Sequence, residues 1–552
     1  MFREAVGGSG EGPGAGATAD RPGALSRRLL TWADPLPGLI RRHRLFSIAL
    51  GLAVLPRAIT MLGYQPAVLF KLDTFDYLWG ATHLAPDPVN PSGYSLFLRL
   101  LLPFHSLALV AGLQHLMGLG LGVMVYAVLR RWRVREWVAV LAALPVLFGA
   151  AELLLEQLIM ADFLALMLMM AGLAVLLLRG QPSPWRSATA GLLMGASVIV
   201  RPTTLPVIAL MALYLLVRRA GWRQVGAVLG AGALPVLGYM AWFASATGAF
   251  NLTNSNGLFL WSRTMSFASC AVIKPPADLR ALCPTGQPRF LDQVDPAKRP
   301  EPKFYLWDHS AWLWQGKPQT VGLVPDTAAF TTASNARAER FAVMAITAQP
   351  LAYARVVASE VIQPFVTNAV FDFPIRQPHS SSLTPPDNLT YALAAVRDYQ
   401  GSTEGIGKDL SHHLGTRLVE PYAGMIRMYQ RLISVPGAIF GLLLAAGFVG
   451  VLLPGRRNWP AALLWVSAVV AVVFPVAEHE YTYRYVIPAI PLVCMTVALC
   501  FGVPQRKPAV SAGILSASLP DGEHTGAGAA DGEPRVAGIA PAEDASRADP
   551  VS

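Results

Sequence analysis

Hydrophobic positions come in long runs along this chain, and the polar stretches between most of them are short. Runs near the roughly 20 residues that cross a bilayer lie at 45–63, 106–129, 136–151, 160–178, 188–201, 203–217, 224–244, 436–453, 459–477 and 485–503. They predict an all-α polytopic membrane protein with about ten transmembrane helices. The runs at 136–151 and 188–201 are short, and 188–217 also reads as one kinked helix. Between the first two runs lies 71–102. On a helix, Leu72, Phe75, Leu78 and Trp79 fall on one face, and Asp73, Asp76, Tyr77, Gly80 and His83 on the other. Pro86, Pro88 and Pro91 then break the pattern before a second apolar run that starts at Gly93-Tyr94. This predicts two juxtamembrane helices in the bilayer interface, with Trp79 and Tyr94 at headgroup level.

The pattern divides the chain into a largely disordered cytoplasmic stretch 1–44, a membrane region 45–244, a large extracytoplasmic segment 245–435, closing transmembrane helices in 436–503 and a disordered tail 504–552. The two ends lack the large apolar residues that a packed core needs. The first apolar run has no small-residue cleavage site and reads as a retained anchor.

Composition narrows the class. Of 552 residues 53% are hydrophobic and only 14% charged, well under the roughly one-quarter charged content of soluble domains. The net charge of +10 does not point to nucleic acid, because much of it sits in clusters that flank the runs. These are Arg27-Arg28, Arg41-Arg42 with Arg44, Arg130-Arg131 with Arg133 and Arg135, Arg218-Arg219, Arg456-Arg457 and Arg506-Lys507. Ten crossings put all of them on one side, which the positive-inside bias makes cytoplasmic. The stretch 71–102, a turn at 151–162, Arg201-Pro202, 245–435 and the loop 478–484 then share the outer surface of a multi-pass protein of the plasma membrane. No solenoid period, inverted repeat, Walker loop, Rossmann fingerprint or zinc spacing is present.

Asp73, Tyr77, Ala81 and then Pro91-Ser-Gly-Tyr-Ser-Leu-Phe-Leu98 resemble the first outer loop of polytopic glycosyltransferases of the GT-C class, especially the bacterial kind that uses polyprenyl-phosphate sugars. In that class an aspartate four residues before a tyrosine is the catalytic base, and a Pro-Gly-Tyr-Pro-type motif opens the second juxtamembrane helix. Here Ser92 is inserted and Ser95 replaces the second proline. The resemblance implies a GT-C-like fold and transfer of a sugar from a polyprenyl-phosphate donor to an extracytoplasmic glycan, lipid or protein of the cell envelope, with inversion. It implies Asp73 as base ahead of Asp76, and an acidic residue in the second outer loop, Glu156 or Asp162 equally, that completes the site or holds a divalent metal such as Mg or Mn.

Four further positions are candidates for the donor phosphate. Arg201 ends an apolar run on the outer side and asks for an anionic partner, a lipid phosphate or the headgroups themselves. Arg484, in Glu478-His-Glu-Tyr-Thr-Tyr-Arg484-Tyr485, offers a guanidinium fork to phosphate oxygens. His479 and His83 are weaker candidates of the same kind, each with solvation as its plain alternative. Trp261, Trp307, Trp312 and Trp314 could stack on sugars or serve as core. Cys270 and Cys283 lie thirteen apart on the oxidising side and invite a disulfide, whereas Cys494 and Cys500 read as packing residues. A rival class is a transporter or flippase of lipid-linked glycans, or a non-catalytic envelope assembly protein. A transporter would put polar groups at mid-membrane, and here the ionisable residues gather at the rim.

Overall fold

The computed structural model describes residues 35–178, 180–283, 302–307, 330–366, 386–401, 416–433, 436–453 and 459–502. These are almost wholly helical. The helices of eight or more residues are, in order, α1 (Pro35–Arg42), α2 (Arg44–Leu52), α3 (Val54–Gly63), α4 (Lys71–His83), α5 (Gly93–Leu101), α6 (Leu107–Arg131), α7 (Glu136–Phe148), α8 (Ala150–Gln157), α9 (Ala161–Leu177) and α10 (Pro184–Val200). There follow α11 (Leu205–Val217), α12 (Trp222–Thr247), α13 (Asn256–Thr264), α14 (Thr332–Ala348), α15 (Pro350–Val366), α16 (Pro386–Gln400), α17 (Tyr422–Ile433), α18 (Gly437–Leu452), α19 (Trp459–Glu478) and α20 (Ala489–Phe501). A short antiparallel pair joins β1 (Tyr64–Gln65) to β2 (Arg417–Leu418).

Local chemistry sets several helix ends. Ser106 accepts from the Leu109 amide at the start of α6, and Ser183 caps α10 with Pro184 at its first position. Gly248, at φ +74°, closes α12 in the left-handed conformation that glycine adopts most readily.

Among the described residues, five helical stretches are long and apolar enough to cross a membrane: Arg44–Gly63, Leu107–Arg131, Trp222–Thr247, Trp459–Glu478 and Tyr483–Phe501; bent pairs raise the number to as many as eight. The expected ten runs are all helical. Several are shorter than a full crossing, among them α9, α10 and α11, and 188–217 is two helices broken at a 3-10 turn, Pro202–Thr204. The helices alternate in direction and bring their basic ends together. His43 and Phe46 meet Tyr126, Trp132 donates to the Leu177 carbonyl at 2.8 Å, and Arg186 donates to that of Leu178 at 2.7 Å.

Four expectations need correction. The span begun at Glu136 does not end at a turn near 151: it bends by 47° at Gly149 and continues as α8. Within 245–435, α14 and α15 form an apolar pair bent by 99°, and α15 packs on the closing helices, with Phe365 stacked on Phe440 and the Tyr353 hydroxyl on the Ala477 carbonyl. The wet face expected of α4 is only partly wet: Tyr77 and Gly80 are buried, Asp73 and Asp76 half-buried and His83 exposed, and α5 and α16 pack on the helix. Tyr94, expected among headgroups, is fully buried and donates to Gln114. Pro35–Arg42, at the end of the stretch read as largely disordered, is helical. Residues 1–34 and 503–552, Trp312, Trp314 and the Trp307 side chain lie outside what is described.

Candidate functional site

The loop after β1 builds the site. Val68 bridges Leu158: the Val68 amide donates to the Gln157 carbonyl at 2.9 Å, and the Ile159 amide donates to Val68 at 3.0 Å. This lays the start of α4 beside the start of α9, and Thr74 fastens it by donating to the Ile159 carbonyl. Asp73 and Asp162 therefore each stand in the first turn of a helix, where the dipole favours a carboxylate. Arg201 caps the end of α10, where the dipole favours a cation. Gly93 makes this possible, because a Cβ there would collide with the Ile199 carbonyl in the last turn of α10.

Two carboxylates and two guanidiniums meet around one ring. Arg201 donates to Asp162 at 2.5 Å, and Arg484 reaches Asp73 at 3.5 Å. The Arg201 and Arg484 guanidiniums lie 5.8 and 5.4 Å from the centre of the Tyr485 ring, and Arg484 also lies over Phe70 at 5.2 Å. The two pairs differ in kind. The Asp162 side chain is 3% exposed and tightly bonded, whereas Asp73 is 28% exposed and loosely held. Beneath them Tyr77, whose phenol burial pushes up, donates to Asn90 at 3.4 Å.

Asp73, Asp162, Arg201 and Arg484 are thus brought together, and the other candidates are not all with them. Asp76 is half-buried three residues along α4. Glu156, expected in an outer turn, is fully buried in α8, giving one oxygen to Arg57 and the other to His115, both at 2.7 Å. By helix rise, Arg57 and His115 lie about 9 to 12 Å in from the ends of α3 and α6 nearest the cluster. Glu152, in the same bent pair, is buried too, with Oε1 unbonded among the described residues. The expectation that ionisable groups gather only at the rim is therefore wrong: apolar surroundings hid the partners of Glu156, which lie 99 and 41 residues away.

His83 is exposed at the end of α4, stacked on Trp79. His479 is packed on Phe259, and burial, with Arg263 and Arg484 nearby, holds its pKa down to about 3. Arg201, expected to seek a lipid anion, has Asp162 instead. Trp261 is fully buried beside the Cys270–Cys283 disulfide and donates to the Leu282 carbonyl, so it is core rather than a sugar platform. Cys494 and Cys500 are buried and free.

The sequence reasoning passed over Tyr485 as the ring between the two arginines and Asp87 in the 84–92 loop. Burial pushes Asp87 up to about 6 against two backbone hydrogen bonds, with Asp73 adding repulsion. A carboxylate inside a loop of prolines was the available signal.

Among the described residues no group of three or more His, Cys, Asp or Glu lies close enough to hold a metal ion. The cluster can accept a proton at Asp73 and offer Arg484 to an anion. No family model and no curated protein matches this chain. Among solved structures it is similar to the apo oligosaccharyltransferase of Archaeoglobus fulgidus, at 14% identity and a TM-score of 0.33, over 82% of this chain and 50% of that one. It therefore spans about half the length of that protein.

Proposed function

We propose that this protein is a membrane glycosyltransferase of the GT-C kind, moving a sugar from a polyprenyl-phosphate donor to an extracytoplasmic acceptor of the cell envelope. The observation that carries the reading is Asp73: a partly exposed carboxylate, held loosely at 3.5 Å by one guanidinium, at the end of the helix bundle away from the basic clusters. In the reaction Asp73 takes the proton of the acceptor hydroxyl as its oxygen bonds to the anomeric carbon. The bond from that carbon to the phosphate oxygen breaks, and the lipid phosphate leaves as an anion whose charge Arg484 meets. A single displacement inverts the anomeric centre. One loosely held guanidinium suits a monophosphate, since Arg201 is already committed to Asp162.

Comparing cell-envelope glycans by mass spectrometry with and without the protein tests this. A missing or truncated glycan supports transfer, and unchanged glycans oppose it. One observation favours a different class, a flippase of lipid-linked glycans: the buried Arg57, Glu156 and His115 network beside the bent α7 and α8 pair. Translocation of a labelled lipid-linked glycan into proteoliposomes, without any transfer, supports that reading instead.

A further inference from the structure

The loop between α4 and α5 holds polar atoms that the reaction above leaves unused. Its backbone is fixed on two sides. The Tyr239 hydroxyl accepts from the Ser92 amide at 3.1 Å, the Asn254 amide donates to the Pro88 carbonyl at 2.8 Å, and the Ser255 hydroxyl donates to that of Val89 at 2.9 Å. Asp87 Oδ1 accepts from the amides of Val89 and Asn90 at 2.7 and 2.5 Å. Its Oδ2 has no hydrogen-bond partner among the described residues. Asn90 turns Oδ1 to the Tyr77 hydroxyl at 3.4 Å, and its Nδ2 is buried without a partner. Behind the loop Asn254, 3% exposed, has Oδ1 unbonded as well.

We infer that Asp87 and Asn90 form a subsite for the hydroxyl groups of the donor sugar, beside the base Asp73. The inference rests on the glycosyltransferase reading and deepens it. A buried polar atom without a partner costs about 1–3 kcal/mol, and this rigid loop sets one such atom, Asn90 Nδ2, three residues from the unbonded and still accessible Asp87 Oδ2, with a second, Asn254 Oδ1, behind it. The unspent groups are one carboxylate oxygen, which accepts, and one amide, which donates. Neighbouring hydroxyls of a sugar match both, because each can donate and accept. A second phosphate does not match, since Asp87 and Asp73 would repel it, and neither does an apolar tail. Burial holds Asp87 up at about 6, so a hydroxyl donated to Oδ2 would relieve a charge that the protein leaves poorly solvated. Tyr77 links the subsite to the base: its hydroxyl touches Asn90, and it stands four residues from Asp73 on α4.

The test is binding of farnesyl phosphate, and of its mannosyl, glucosyl, galactosyl and arabinosyl esters, to the purified full-length protein in detergent. At least one ester should bind more tightly than farnesyl phosphate. Asp87→Asn, which keeps the oxygen that caps Val89 and Asn90, should reduce that gain by about 10-fold or more, the size of one hydrogen bond to a charged group, and Asn90→Ala by about 3- to 10-fold, the size of a neutral one. Both variants should bind farnesyl phosphate as the parent does, which also shows that they are folded. The inference is overturned if the gain survives in both variants or if no ester binds better than farnesyl phosphate. If farnesyl phosphate itself fails to bind, or binds Arg484→Ala equally well, the donor reading falls first and takes the subsite with it.

Discussion

Asp73 and Asp162 carry the same functional group and differ in what surrounds it. Asp162 is buried and tied to Arg201 at 2.5 Å, so removing it would leave a nearly buried guanidinium unpaired. Asp162→Asn is expected to lower stability by about 3–5 kcal/mol, seen as an earlier unfolding transition in detergent. Asp73→Asn should leave stability nearly unchanged and cut turnover by roughly 100-fold or more with donor binding kept, because the amide cannot take a proton. Near-normal transfer by that variant would pass the role to Asp76. His479 allows a prediction about pH. Its folded pKa, about 3, lies below the ordinary value of 6.5. The unfolded chain therefore binds the extra proton, and stability is lost as pH falls from about 6.5 towards 3, at up to about 1.4 kcal/mol per pH unit. Asp87 acts with the opposite sign: its pKa is raised to about 6, so its contribution falls as pH rises from 3.8 to 6. Comparing the unfolding of the parent and His479→Gln between pH 7 and pH 5 separates the two, and equal acid sensitivity would remove His479 from the account.

Helix ends are the elements that make the site, and they show what could be read in advance. α4, α9 and α10 were legible from apolar runs and from the prolines and polar residues that stop them. Asp162 and Arg201 stood out because charge at the end of an apolar run is costly, Asp73 because its spacing from Tyr77 resembles that of a family base, and Arg484 because a dense ionisable loop sets its guanidinium between two apolar runs. What was not legible is who meets whom. Arg484 lies 411 residues from Asp73, and α16, which packs on α4, starts more than 300 residues after it. Glu156 looked like Asp162 in sequence, yet one helical turn placed it among Arg57 and His115. Gly93 is the test at this scale. Gly93→Ala puts a methyl group against the Ile199 carbonyl, and backbone cannot move aside as a flexible side chain can. The expected cost is about 1–3 kcal/mol, together with lost activity as α5 and the Arg201 end of α10 are forced apart. Gly238→Ala in α12 meets nothing within 4 Å and should be neutral or slightly stabilising. Equal behaviour of the two variants in thermal unfolding would mean that the close approach at Gly93 does not matter.

Across the whole molecule the charges are sorted by end. Arg41, Arg42, Arg44, Arg130, Arg131, Arg133, Arg135, Arg218 and Arg219 stand at the ends of helices that run away from the cluster, and Asp73, Asp162, Arg201 and Arg484 at the other. On the proposed reading, the positive-inside bias puts the cluster face outside the cytoplasm, where the proposed donor and acceptor meet. Single cysteines read the orientation directly, since Cys270 and Cys283 are joined and Cys494 and Cys500 are buried. His83→Cys, exposed at the end of α4, should react with a membrane-impermeant maleimide on intact cells. Trp185→Cys, at a position 84% exposed at the start of α10, should react only after the membrane is opened. The reverse pattern would turn the molecule over, put Asp73 on the cytoplasmic side and remove the ground for an extracytoplasmic acceptor. Labelling of both from outside would mean that α9 and α10, at 17 residues each, do not carry the chain across as two crossings.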